Sequence, residues 1–166
     1  MKQTRLVNTR DNQSGQGLKD LISDLPDNIV MAEIGCYKGD STLIFLDSGK
    51  VKEFYAVDTW QPGRFDNAFI EFKKVTEGRG VKILQMNMLT AWKRLPMLDF
   101  AYIDGDHSYE WVKRDITYCL KVLKPGGIIS GHDYAAQYKD RVVKAVDEIL
   151  GKPDEVYIDT SWMKRL

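Results

Sequence analysis

Acids and histidines stand at the ends of apolar runs in this chain. Glu33 closes "IVMAE", and Gly35 and Gly39 follow it, with Asp40 and Ser41 next. Asp58, Thr59 and Trp60 follow "FYAV", and Asn87 and Met88 follow "VKILQM". Asp104, Asp106 and His107 follow "LDFAYI", and His132 and Asp133 follow "IISG", so both histidines of the chain belong to this set. Carboxylates with imidazole can move protons near neutral pH or hold a divalent cation. An acid and two glycines at the mouth of a strand can receive a dinucleotide, a phosphate or S-adenosylmethionine, or form a tight turn with no ligand.

Such residues act together only if the fold brings the strand ends to one place. "SGQGLKDLISDLP" carries Leu18, Leu21, Ile22 and Leu25 at helical spacing and stops at Pro26. Strand and helix then alternate about five times. "NIVMAEIGC", "KEFYAVDT", "VKILQMN", "LDFAYID" and "IISGHD" read as strands. "DSTLIFLDSG", "RFDNAFIEFKKVTEGRG", "LTAWKRL", "SYEWVKRDITYCLKVL" and "YKDRVVKAVDEILG" read as helices, the fourth with Trp111, Ile116, Cys119, Leu120 and Leu123 among its inner positions. "EVYIDTSWMKRL" reads as a closing hairpin across Asp159–Ser161. This alternation predicts a doubly wound, mostly parallel α/β sheet with helices on both faces. Ligands of such sheets bind outside the carboxyl ends of the strands, where these acids and histidines fall.

The first turn does not suit a pyrophosphate. The dinucleotide fingerprint is G-x-G-x-x-G, and Tyr37 stands where its middle glycine belongs; Glu33 adds negative charge beside the phosphate position. The phosphate loop G-x-x-x-x-G-K-[ST] is also missing. S-adenosylmethionine carries no phosphate. Glu33 can take its amino group, Asp58 its ribose hydroxyls, and Asn87 an adenine edge.

The ordered set "EIGCYKGDST", "YAVDTW", "FAYIDGDHSYEWVKRDI", "LKPGGIISGHDY" and "AVDEIL", over roughly residues 30–150, resembles the class I S-adenosylmethionine-dependent methyltransferases. It is most similar to the small macrocin-type sugar O-methyltransferases. The resemblance implies a Rossmann-like sheet of seven strands, the seventh antiparallel. It implies cofactor contacts from Glu33, Gly35, Cys36, Tyr37, Gly39 and Ser41, from Asp58, Thr59 and Trp60, from Asn87 and Met88, and from Asp104 and His107. In metal-dependent members an acid ends the fourth strand and an acid with a neighbouring ligand ends the fifth. That implies Asp104, His132 and Asp133 as ligands of magnesium or manganese, against a metal-free reading in which His132 is a general base. His132, His107 and Asp104 are the expected catalytic residues.

Bulk properties narrow the alternatives. The 166 residues suit a single domain over 1–166, with 1–13 as an N-terminal arm. The 24 basic and 24 acidic residues cancel, which argues against a nucleic-acid binder relying on phosphate contacts. No run approaches the roughly 18 apolar residues of a membrane span. Cys36 and Cys119 show no metal-binding spacing and read as packing residues. The expectation is a cytoplasmic enzyme that methylates a hydroxyl of a small molecule, a sugar among the candidates, with a second subunit completing the pocket. The alternative is a non-catalytic S-adenosylmethionine-binding module acting through a partner. A nucleotide-dependent oxidoreductase is disfavoured by Tyr37.

Overall fold

The computed structural model describes residues 15–166; the expected arm, 1–13, lies outside them. Seven strands form one sheet: β1 (Ile29–Ile34), β2 (Val51–Asp58), β3 (Lys82–Gln85), β4 (Leu98–Ile103), β5 (Leu123–Gly131), β6 (Glu155–Val156) and β7 (Trp162–Arg165). Their order is β3-β2-β1-β4-β5-β7-β6. β1 to β5 pair in parallel, and β7 runs antiparallel to both β5 and β6. This is the doubly wound Rossmann-like sheet with its closing hairpin, and the order reverses between β1 and β4.

The central strands are buried on both faces, so β1 and β4 read as nearly unbroken apolar runs, as parallel strands covered by helices must. Alternate residues serve two cores. Met31, Phe54 and Phe100 pack with α1 (Gln16–Ser23), α2 (Asp40–Asp47) and α3 (Asp66–Val75). Ala32, Ile34, Ala101 and Ile103 pack with α4 (Met88–Ala91), α5 (Tyr109–Cys119) and α6 (Lys144–Leu150).

Three sequence expectations need correction. The fifth strand starts at Leu123, not at Ile128, and its register against β4 shifts between Leu98 and Phe100. Lys124 to Gly127 fill that irregularity, which absorbs the Pro-Gly-Gly that would otherwise end a regular element. Trp111 is not an inner position: it is 38% exposed, under the guanidinium of Arg114. Lys139–Val143, expected to be ordinary helix, form a π turn that continues into α6. Among the described residues no helix is long and apolar enough to cross a membrane.

Candidate active site

The turn after β1 is packed against the β4 turn and α3. Gly35 (φ 91°) and Gly39 (φ 98°) take left-handed conformations that side chains resist. A Cβ on Gly35 would overlap the Asp104 carbonyl and stand 2.5 Å from Cα of Gly105; one on Gly39 would stand 3.0 Å from Val75. The glycines thus let the β4 turn and α3 approach, a packing reason independent of any ligand.

Glu33 lies beneath this turn, fully buried. Ser41 donates to its Oε1 at 2.5 Å, and Thr42 donates to its Oε2. Burial pushes its carboxyl up to about 7, against the lowering effect of the two hydroxyls. Glu33 and Ser41 therefore meet each other, and Glu33 anchors the start of α2.

Asp58 ties this turn to the next. Its Oδ2 accepts from the backbone of Cys36 and Tyr37, both at 3.0 Å, and its Oδ1 from Trp60 at 2.7 Å. A carboxylate offers about four acceptor positions, so roughly one remains for a ribose hydroxyl. Trp60, an expected cofactor contact, is 1% exposed instead, packed on Phe69 and Phe72, with its indole N–H on the Tyr37 carbonyl at 2.7 Å. Its φ of 36° folds the ring under the loop.

Cys36 is buried, and burial raises its thiol well above the usual range, so it is no nucleophile. Tyr37 is exposed and Thr59 lies at the surface. Asn87 accepts the backbone N–H of Thr90 and Ala91 on its carbonyl, opening α4, and the Met88 side chain is in the core. A cleft of 440 Å³ opens beside Tyr37 and Phe65, and none of the acids or histidines of β4 and β5 line it.

Those residues converge elsewhere. Nε2 of His107 lies 3.1 Å from Asp133 and 3.8 Å from Asp104. One ligand atom from each of the three falls within 4.8 Å of the others. His132 does not join them. Its Nδ1 contacts the other carboxylate oxygen of Asp133, Oδ1, at 3.2 Å, and Asp133 itself has a positive φ of 64°. The third donor beside the two acids is thus His107, not the expected His132.

Both imidazoles are raised. Asp104 and then Asp133 raise His107 against partial burial. Burial opposes the charge on His132, yet the carboxylates of Asp133 and Asp104 outweigh it and raise the ring to about 9. Asp133, which its Nδ1 contacts, thus favours the charged form of His132. Asp106 accepts from the Ser108 backbone at 2.8 Å, supporting the entry to α5.

Sequence reasoning missed Tyr138, whose ring stands against His107, and Asp115, buried close to Gly105 with its carboxyl raised by burial to about 7. Neither carries a local motif. The helical period of α5 places Asp115 beside the buried Ile116, the one signal that could have found it.

A family model described as a methyltransferase domain matches residues 32–134. An uncharacterized protein of Acanthamoeba polyphaga mimivirus is 25% identical over 135 residues, 75% of this chain; the chain spans only 60% of that relative. Among solved structures, a putative rRNA-methylase from Clostridium thermocellum is similar with a TM-score of 0.65 and 14% identity, over 96% of this chain and 100% of that one. An O-methyltransferase from Bacillus cereus, solved in complex with SAH, is similar with a TM-score of 0.64 and 16% identity, over 95% and 82%. At these identities the structural likenesses concern the fold.

Proposed function

The chain belongs to the methyltransferase domain family, and from that premise we propose that it transfers the methyl group of S-adenosylmethionine to a hydroxyl of a small molecule, sugars being the first class to test. The observation that carries the hydroxyl reading is the convergence of Asp104, His107 and Asp133 beside the glycine turn. A hydroxyl acceptor must give up a proton as it is methylated, and carboxylates with an imidazole suit that task.

The residues suit the methyl donor by their chemistry: Asp58 offers an acceptor to ribose, and the turn after β1 has no phosphate cradle. S-adenosylmethionine supplies an electrophilic methyl on a sulfonium, which the acceptor oxygen takes as the carbon–sulfur bond breaks. The turn from Gly35 to Gly39 and Asp58 orient the donor, and orientation supplies much of the rate in such in-line transfers. His107 is half exposed, and with its Nε2 turned toward both carboxylates its Nδ1 is the nitrogen left to take the acceptor's proton. Asp104 and Asp133 raise its pKa, so its neutral, proton-accepting share grows with pH.

Two carboxylates and an imidazole also fit a divalent cation, manganese better than magnesium on account of the nitrogen. Asp104, His107 and Asp133 would hold it, and it would lower the pKa of a bound hydroxyl. The two free, buried thiols suit the reducing environment of the cytoplasm.

Calorimetry with S-adenosylmethionine and with NAD, followed by S-adenosylhomocysteine release on a panel of sugars and other hydroxyl compounds with and without chelator, tests the reading. Binding of S-adenosylmethionine alone and release on a hydroxyl compound are expected. Binding of NAD alone would sink it, and binding without transfer would favour the non-catalytic module.

A further inference from the structure

The rings of Tyr138 and His107 meet edge to face, with centroids 5.4 Å apart and planes at 83°. Tyr138 reaches this position from an irregular segment. β5 stops at Gly131, and Tyr134, fully buried, donates its hydroxyl to Asp147 at 2.7 Å. The backbone of Tyr138 then donates to the Ala135 carbonyl at 2.9 Å, and Ala136–Tyr138 make a single 3₁₀ turn. The π turn Lys139–Val143 comes next and runs into α6. A π turn inserts an extra residue into a helix and so rotates the residues on its N-terminal side against those on its C-terminal side. Val142, Val143, Ala145 and Val146 stay in the core, while Tyr138, just ahead of them, is turned toward His107.

The orientation of His107 decides whether the three donors converge, since one nitrogen, Nε2, faces both Asp133 and Asp104. Histidines in such groups are ordinarily oriented by a hydrogen bond to the other ring nitrogen. Among the described residues no hydrogen bond to Nδ1 of His107 is formed, and the ring is 39% exposed. The contact with the Tyr138 ring is packing able to do what that bond does elsewhere. An edge-to-face aromatic contact of this geometry is favourable beyond area burial and so biases a half-exposed ring toward one rotamer.

We propose that Tyr138 is a positioning residue, whose ring holds His107 with Nε2 directed at Asp104 and Asp133. This rests on reading those three residues as one site, and on neither a metal nor methyl transfer. The test compares wild type with Tyr138→Phe, which keeps the ring, and Tyr138→Leu, which keeps apolar bulk without it. With two histidines in the chain, His132→Gln assigns their resonances. The side-chain rotamer of His107, read from three-bond couplings, is expected to be single in wild type and Tyr138→Phe and averaged in Tyr138→Leu, with the His132 resonances in place. Calorimetry with Mn²⁺ alone is expected to show a loss on the order of tenfold in Tyr138→Leu and none in Tyr138→Phe. An unaveraged His107 in Tyr138→Leu would overturn the proposal, and so would averaging in Tyr138→Phe. If wild type binds no Mn²⁺, the cation reading falls, while the couplings still decide the role of Tyr138.

Discussion

Gly35 and the Asp104 carbonyl lie so close that no Cβ fits between them. The first strand's turn and the fourth strand's turn cross so closely that a methyl on Gly35 would overlap the Asp104 carbonyl. The acid of the proposed site is thus registered against the glycine turn by backbone contact.

Gly35→Ala should therefore destabilise strongly. A left-handed φ of 91° costs about 1–2 kcal/mol for a side chain, and the overlap with main chain adds about 1–3 kcal/mol. Gly126→Ala is the control: φ is 75°, with nothing within 4 Å of the new Cβ, so only the backbone cost, about 1–2 kcal/mol, applies. Urea unfolding of the two variants should differ in midpoint in that order. Equal losses would show that the crossing gives way.

Glu33 gives stability a pH signature. Its folded carboxyl is raised from 4.5 to about 7, so the folded state holds a proton that the unfolded state has released. Its contribution is fully present below pH 4.5, fades as pH rises toward 7, and is gone above. The loss is on the order of 3 kcal/mol, at up to about 1.4 kcal/mol per pH unit. Asp115 acts in the same direction, so the informative quantity is wild type minus Glu33→Gln, measured by urea unfolding from pH 4.5 to 8. That difference should fall with pH, and parallel curves would rule the effect out.

Asp58→Ala leaves three backbone N–H groups without their acceptor. A stability loss of about 2 kcal/mol is expected, with faster hydrogen exchange at Cys36, Tyr37 and Trp60. S-adenosylmethionine affinity should fall by about tenfold or more, since both the turn and a ribose acceptor are disturbed. Calorimetry on Asp58→Asn, which keeps acceptor oxygen, should lie between. An unchanged affinity in Asp58→Ala would remove the ribose assignment.

The range of the forces decides which features a sequence can disclose. The strand ends bearing Asp58, Asp104 and Asp133 were legible because apolar runs broken by helical periods imply a parallel sheet with one ligand edge. The tryptophans were not. Trp60 looked available and is buried, packed on Phe69 and Phe72, and Trp111 looked buried and is exposed under Arg114, because tertiary packing and not local pattern sets their exposure. Glu33 and Ser41 were both visible as a pair of polar residues. That they bond each other depends on α2 lying over β1. That His107 rather than His132 groups with both acids depends on how the turn after β4 meets the turn after β5, a relation between distant segments that periodicity does not carry.

That exchange is itself testable. Nε2 of His107 shares a group with Asp104 and Asp133, all within 4.8 Å, while His132 pairs with Asp133 through Nδ1 at 3.2 Å and stands outside that group. Under the cation reading, His107→Ala removes a ligand and should weaken Mn²⁺ binding by about a hundredfold, whereas His132→Gln disturbs only the neighbour of a ligand and retains an N–H able to reach Asp133. Its loss should stay near tenfold, the lower end for partners that orient a ligand. Calorimetry on the two variants, with Asp104→Asn as the reference for a lost carboxylate, separates the two histidines. A larger loss in His132→Gln than in His107→Ala would restore His132 to the ligand set and mean that the chain rearranges at Asp133 when a cation binds.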